Sequence, residues 1–340
     1  MKISPLSPAK PTKVYEYYWR LAADRQKIFF NRIRGITPLT FDPILLKYKF
    51  TNTYRASDRV SQYLIKNVIY NGSQTVEDIF FRIILFKTFN KIKTWQLLEN
   101  EMGEIRYSLY SFERYNKLLS DCMRKGEAVY SAAYIMSSGN SVFGYARKHS
   151  NHLKIIEKMM ADNLPSKIKK SKSMQAVFEL LRSYPTIGNF LAYQYAIDIN
   201  YSTLTDFSEM DFVVPGPGAL DGIKKCFVSL GGLNEVEIIK LVTEKQSEEF
   251  ERFGIEFKNL WGRPMQLIDC QNVFCEISKY SRVKFPQNGG RGGRKRIKQS
   301  YRPNLEKIMY WYPPKWKINE KVEKELSRFQ FDVVERKGVK

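Results

Sequence analysis

Pro185 and Gly188 stand three residues apart in Ser183-Tyr184-Pro185-Thr186-Ile187-Gly188-Asn189-Phe190-Leu191-Ala192, with apolar segments on either side. Proline cannot continue a helix and glycine permits a close turn. The stretch therefore predicts a tight hairpin between helices at Met174 to Ser183 and Asn189 to Ile199. The first N–H groups of the second helix lack intrahelical partners and favour an anion beyond the turn. Fifty-six Lys and Arg against 35 Asp and Glu give the chain a formal charge of +21, so the anion expected is a nucleic-acid phosphate.

The rest of the chain reads the same way, and the fold class expected is all-α, mainly helical. Val14 to Arg34 places Tyr17, Tyr18, Leu21, Ile28, Phe29 and Ile33 near helical spacing, and Gly35 to Pro43 breaks it. Thr53 to Tyr70 predicts a second helix, ended by Asn71-Gly72. Val76 to Asn90 is apolar enough for a central buried helix. Further helices are expected at 94–100, 111–125, 153–162, 220–230 and 265–280, with an acidic outer face at 235–253. Pro215-Gly216-Pro217-Gly218 predicts a rigid turn. Strand signals are weak throughout. At 43% hydrophobic residues the 340-residue chain carries a substantial core rather than disorder.

Several chemistries are excluded. Cys122, Cys226, Cys270 and Cys275 are too few and too scattered for a disulfide framework or an iron–sulfur site, and fit a reducing cytoplasm. His149 and His152 share a helical face, but no nearby ligand completes a metal site, so no metal and no cofactor are expected. No P-loop motif occurs, and neither an apolar leader nor a run long enough to span a bilayer is seen.

Three constellations remain. Asp211 lies 23 residues beyond Gly188 between apolar neighbours, which predicts a desolvated carboxylate of raised basicity; Asp206 and Glu209 are lesser candidates, Asp206 and Asp221 being expected as cap or turn carboxylates. Phe50 to Tyr63 is dense in donors. With Asn52 or Thr53 as helix cap, Arg55 and Arg59 would share a face at i, i+4 with Asp58 beside them. This is either a surface ion-pair network or a recognition set for a base edge or pyrophosphate in which Tyr54 and Asn71 join. Glu276, Lys279 and Tyr280 fall within one helical turn. Beyond them, residues 286–300 form a Gly/Arg-rich basic loop with Arg291, Arg294, Lys295 and Arg296, suited to a phosphate backbone. Aromatics at Tyr301, Tyr310, Trp311, Tyr312 and Trp316 predict that the extension 301–340 docks onto something rather than floating free.

The hairpin resembles the helix-hairpin-helix motif of DNA glycosylases at Pro185, Ile187, Gly188 and Ala192, and departs from it at Tyr184, Thr186 and Leu191. Phe190 occupies the position where bifunctional members carry a Schiff-base lysine, so lyase chemistry of that kind is not expected. On this resemblance Tyr184, Thr186, Gly188 and Asn189 contact DNA.

A wider resemblance rests on Tyr17-Tyr18-Trp19-Arg20, on Phe50 through Ile65, on Asp211 with Pro215-Gly216-Pro217-Gly218, and on Cys275-Glu276-x-x-Lys279-Tyr280. These resemble the helical domain associated with 5-hydroxymethyluracil DNA kinases, related to the alpha-glutamyl/putrescinyl thymine pyrophosphorylases. The likeness covers about residues 14–285. It implies a glycosylase-like helical domain of phages and bacteria that acts on a modified thymine in double-stranded DNA, captured extrahelically. The implied reaction replaces the pyrophosphate of 5-pyrophosphoryloxymethyluracil with an amine or amino acid, with Asp211 and Arg55 catalytic and Asn52, Tyr54, Asp58, Arg59, Asn71, Glu276, Lys279 and Tyr280 binding substrate. A glycosylase that excises the base, or a DNA-binding module serving a separate hydroxymethyluracil DNA kinase, are the alternatives. A cytoplasmic setting in a bacterium or phage-infected cell follows from the same resemblance.

Overall fold

The computed structural model describes residues 8–134, 136–288, 296–304 and 308–335, and the fold is mainly α-helical. The chain divides into two compact units: residues 1–58 with 213–340, and residues 59–212 inserted between them. The stretch expected as one domain, 14–285, thus contributes to both.

The first unit opens with β1 (Lys10–Pro11), α1 (Lys13–Arg34) and α2 (Pro43–Lys47). Thr12 caps α1 by accepting the Val14 N–H, and Gly35 ends it in the left-handed conformation that a residue without Cβ adopts cheaply. Within the second unit run α3 (Arg59–Tyr63), α4 (Val76–Phe89), α5 (Ile92–Met102), α6 (Phe112–Arg124), α7 (Asn140–Phe143), α8 (Lys148–Ala161), α9 (Leu164–Lys169), α10 (Met174–Arg182) and α11 (Asn189–Asn200). The first unit resumes with α12 (Pro217–Cys226), β2 (Phe227–Ser229), α13 (Glu235–Glu244), α14 (Gln246–Arg252), α15 (Leu267–Lys284) and α16 (Asn319–Glu335).

In the first unit α1, α12 and α15 form the core. Pro217 begins α12 and Gly216 is its N-cap, so the Pro-Gly-Pro-Gly run starts a helix as well as turning the chain. Gly218 and Gly222, four residues apart, face α15: a Cβ at Gly218 would overlap the Cys275 side chain, and one at Gly222 would overlap the Phe274 carbonyl. Asp221, expected as a cap or turn carboxylate, is instead buried inside α12, where it accepts from Ser278 Oγ at 2.5 Å and pairs with Lys225 at 3.0 Å. The helix expected to reach Leu230 ends at Cys226, because residues 227–229 pair antiparallel with Lys10–Pro11. The expected acidic face at 235–253 is two helices rather than one.

The second unit is built on α4, which is buried from Asp78 to Phe89. Thr75 caps it, Asn90 ends it at φ 49°, and α8, α9 and α11 surround it. Lys87 of α4 forms a buried ion pair with Asp198 of α11 at 3.2 Å and donates to Asn90 at 2.9 Å.

Candidate functional site

The helix expected over Thr53 to Tyr70 is not continuous. Arg55–Ser57 is a single 3₁₀ turn, Asp58 is extended at ψ 144°, α3 begins at Arg59, and Leu64–Ile69 continues as a π-helical turn. Arg55 and Arg59 therefore do not share a face at i, i+4. Neither Asn52 nor Thr53 caps a helix; longer-range bonds take both side chains. Asn52 Nδ2 donates to the Ser57 carbonyl at 2.8 Å, and Thr53 Oγ1 donates to the Ala22 carbonyl of α1 at 2.7 Å.

What organises this segment is Arg25. It lies on the buried face of α1 with Tyr18, Leu21, Ala22 and Phe29, and is 8% exposed. Its guanidinium donates to the Thr51 carbonyl at 2.9 Å, the Phe50 carbonyl at 3.1 Å and Asn52 Oδ1 at 3.2 Å. The Asn52 N–H in turn donates to Asp58 Oδ1 at 2.8 Å. Burial pushes the Asp58 carboxyl up to about 6, against the Asn52 N–H and the Arg25 charge, which favour the ionised form. Burial likewise lowers the Arg25 pKa while the charges of Asp58 and Glu276 raise it.

Helix α15 closes the other side. Glu276 accepts the Thr51 N–H at 3.1 Å and holds Lys279 at 2.7 Å, and the Lys279 ammonium lies 4.5 Å from the centre of the Phe50 ring. Tyr280 is buried beside the Phe50 and Tyr17 rings and donates to Asp42 at 2.7 Å, which pushes its phenol far above the ordinary range after burial has already raised it. Asp269, in the first turn of α15, accepts the Arg55 N–H at 2.9 Å. Tyr54 is buried and donates to the Arg263 carbonyl at 2.7 Å. The structure thus joins Asn52 and Asp58 through Arg25 and Thr51 to Glu276 and Lys279 in a largely buried polar network, rather than a surface ion-pair network. Tyr54, Arg55 and Tyr280 lie in the same unit, where the Arg263 carbonyl, Asp269 and Asp42 hold them and Tyr280 packs on Phe50. Arg25 had one sequence signal, a cation at a position where the helical repeat of α1 calls for an apolar residue.

The other expected site residues lie in the second unit. Helices α10 and α11 form the hairpin read from Pro185 and Gly188. The strained position is Thr186, at φ 68°, whereas Gly188 is the extended N-cap of α11 at φ −80° with open space where a Cβ would stand. The turn therefore does not need glycine's freedom at 188. Tyr184 is 8% exposed and donates to Asp162 at 3.0 Å, so its hydroxyl braces the hairpin. Asn189 is exposed at the first turn of α11, and Phe190 stacks on Tyr134 with ring centres 5.7 Å apart.

Asp211 is exposed in the loop before α12, not desolvated as its neighbours predicted. Phe212 turns inward against Phe178 and Tyr193, at 5.3 and 5.9 Å between ring centres, and its neighbour is left on the outside. Glu209 is buried, Asp206 exposed, and Asn71 lies on an exposed turn of the same unit, as the half-buried Arg59 does at the start of α3. Arg291, Arg294 and Lys295 fall outside the described residues; Arg296 is exposed. Both histidines are hydrogen-bonded inside the second unit, His149 to Ser120 and His152 to Tyr130 and the Ser137 carbonyl. Among the described residues no helix is long and apolar enough to cross a membrane.

With this geometry in view, the comparisons with known proteins bear on the same segments. The chain is 28% identical over 297 residues to the 5-hmdU DNA kinase of Bacillus phage SP10, a match covering 80% of this chain and 46% of that protein. The chain spans about half the length of that curated relative. No solved structure matches it. Residues 12–290, which include both sides of the polar network, match the family described as 5-hmdU DNA kinase, helical domain. The chain belongs to that helical-domain family.

Proposed function

We propose that this chain acts on 5-hydroxymethyluracil in DNA after pyrophosphorylation, replacing the pyrophosphate on the base's 5-methylene with an amine or amino acid. The observation that carries the reading is the network joining Phe50–Asp58 to Glu276, Lys279 and Tyr280. It links, in one unit, two of the segments by which the sequence resembles thymine-modifying proteins. In the proposed step the C–O bond to pyrophosphate breaks, the C–N bond forms, and the proton lost by the amine passes to a carboxylate.

Lys279 is half-buried beside Glu276 and suits the charge developing on the leaving pyrophosphate; Arg55, at 2% exposure, suits a positioning role better than direct contact. Asp58 suits the proton acceptor, because burial raises its carboxyl to about 6, close to a base working near neutral pH, whereas Asp211 is exposed in a loop. A second reading is favoured by the share of the relative that the chain covers: a helical domain that presents hydroxymethyluracil DNA to a phosphoryl-transferring partner.

Pyrophosphate release from a pyrophosphorylated duplex, followed with and without an amine, tests the reading. Amine-dependent release that falls about 10²–10⁴-fold in Asp58→Asn, with DNA affinity retained, supports it. Loss in Asp211→Asn alone moves the base to Asp211. No release under any amine, with DNA still bound, leaves the presenting domain as the better account.

A further inference from the structure

Beyond the family match, which ends at residue 290, the chain folds back onto the first unit. Tyr301 N–H donates to the Lys47 carbonyl at 3.0 Å, Tyr310 packs on Phe29, and the Tyr312 hydroxyl shares a 2.8 Å hydrogen bond with Ser57. Helix α16 is then anchored by Val322, which is fully buried, and by Glu325. Glu325 accepts from Arg34 at 2.9 Å, from Lys258 at 2.9 Å and from Trp261 Nε1 at 2.7 Å. Burial disfavours its charge, but those donors outweigh burial and hold the carboxyl below its ordinary value.

The result is an open cleft of about 320 Å³ lined by Arg34, Lys258, Lys321, Lys324, Glu325, Arg328 and Phe329. Five cations meet one carboxylate there. The Arg34 guanidinium is held between Phe30 and Phe329, at 5.7 and 5.6 Å from the ring centres. Lys321, Lys324 and Arg328 are exposed, recur at i, i+3 and i+7 on one face of α16, and have no carboxylate partner among the described residues. At 1.5 Å per residue they span about 10 Å, or roughly three phosphates along one strand of a duplex. Glu320, Glu323 and Glu325 interleave with them on α16, and Lys321 donates to the Trp261 carbonyl at 3.4 Å. Five cations to one carboxylate nonetheless line the cleft itself, and a row of cations at that spacing fits a phosphodiester backbone better than a single small anion.

We propose that this cleft is a phosphate-backbone docking surface for duplex DNA, which the C-terminal extension adds to the helical domain. It rests on the reading that the chain acts on DNA, and concerns backbone grip rather than base chemistry. The test is fluorescence anisotropy of a labelled duplex containing only ordinary thymine, titrated at several NaCl concentrations. The protein is the full chain, either wild type, Lys321→Gln/Lys324→Gln/Arg328→Gln, or a control that loses equal charge elsewhere, Lys93→Gln/Lys117→Gln/Lys125→Gln. Thermal melts establish that each is folded.

The expected result is a slope of log affinity on log salt that is shallower by about 2–3 in the cleft variant only, with affinity at least about tenfold weaker at low salt. A slope within about 0.5 of wild type overturns the proposal and leaves the cleft to an acidic protein. Equal loss in the control overturns it too, since net charge would then suffice. Pyrophosphate release on modified duplex is read in parallel. A cleft effect without turnover defeats the reaction and not the docking surface; turnover without a cleft effect does the reverse.

Discussion

Arg25 is where burial and charge meet most sharply in the first unit. Its guanidinium is taken out of water and repaid by three acceptors, two of them the Phe50 and Thr51 carbonyls. Arg25→Ala would leave those carbonyls, Asn52 Oδ1 and the nearby Asp58 carboxylate short of a partner. A loss of roughly 3–5 kcal/mol of folding stability is expected, read by urea denaturation; a loss within experimental error would show that the segment holds its shape without the clamp. Asp58 titrates in the opposite sense to a salt-bridged carboxylate. Its folded pKa, about 6, lies above the ordinary value of 3.8, so between those limits the folded chain keeps a proton that the unfolded chain has released. Its stabilising contribution is complete below about pH 4, falls as the pH rises to 6, and is flat above, up to about 3 kcal/mol in all. Asp58→Asn keeps an acceptor for the Asn52 N–H and removes that slope, so the stability difference between wild type and variant should change across pH 4–6 and hold steady beyond. At this scale the sequence disclosed residue types but not their partners: Asn52, Asp58, Glu276 and Lys279 were legible as candidates, while Arg25 left only the sign of a cation on the apolar repeat of α1, its acceptors lying 25 to 27 residues away in the chain.

The helices themselves were readable because periodicity is local. The long α1, the apolar α4 and the α10–α11 pair follow from spacing and breakers, and Thr12, Thr75 and Ser173 cap them with the hydroxyl acceptors that helix N-termini favour. The break at Asp58 was not readable, because it is imposed by Asn52, Ser57 and Arg25 rather than by helix propensity. The Pro-Gly-Pro-Gly run was legible as a turn, but its second role depends on α15. Gly222 is the most demanding position: a methyl group there collides with the Phe274 backbone, which cannot rotate away. Gly222→Ala should cost about 1–3 kcal/mol in a thermal melt, and Gly218→Ala less, since the Cys275 side chain can move. If the order is reversed, the tight approach of α12 to α15 is not what these glycines serve. Gly188→Ala meets open space at an ordinary φ, so it should change stability by under about 0.5 kcal/mol.

At the scale of the whole chain, composition constrained the partner and not the site. A formal charge of +21 favours a polyanion, yet three of the four basic loop residues expected to carry it, at 291, 294 and 295, lie outside the described structure, while a cationic cleft stands on α16 and α1. The interleaving of the two units was hidden for a similar reason: nothing local marks Asp58 and Val213 as the places where the chain leaves one unit and returns to it. The central claim is that an amine replaces pyrophosphate on a thymine derivative in DNA. Its most direct test is mass spectrometry of nucleosides digested from pyrophosphorylated hydroxymethyluracil duplex after incubation with the protein and a ¹⁵N-labelled amine mixture. A nucleoside carrying the label on its 5-methylene is the result expected. Free modified base, or nucleosides that never acquire the label while the protein binds the duplex, would contradict it.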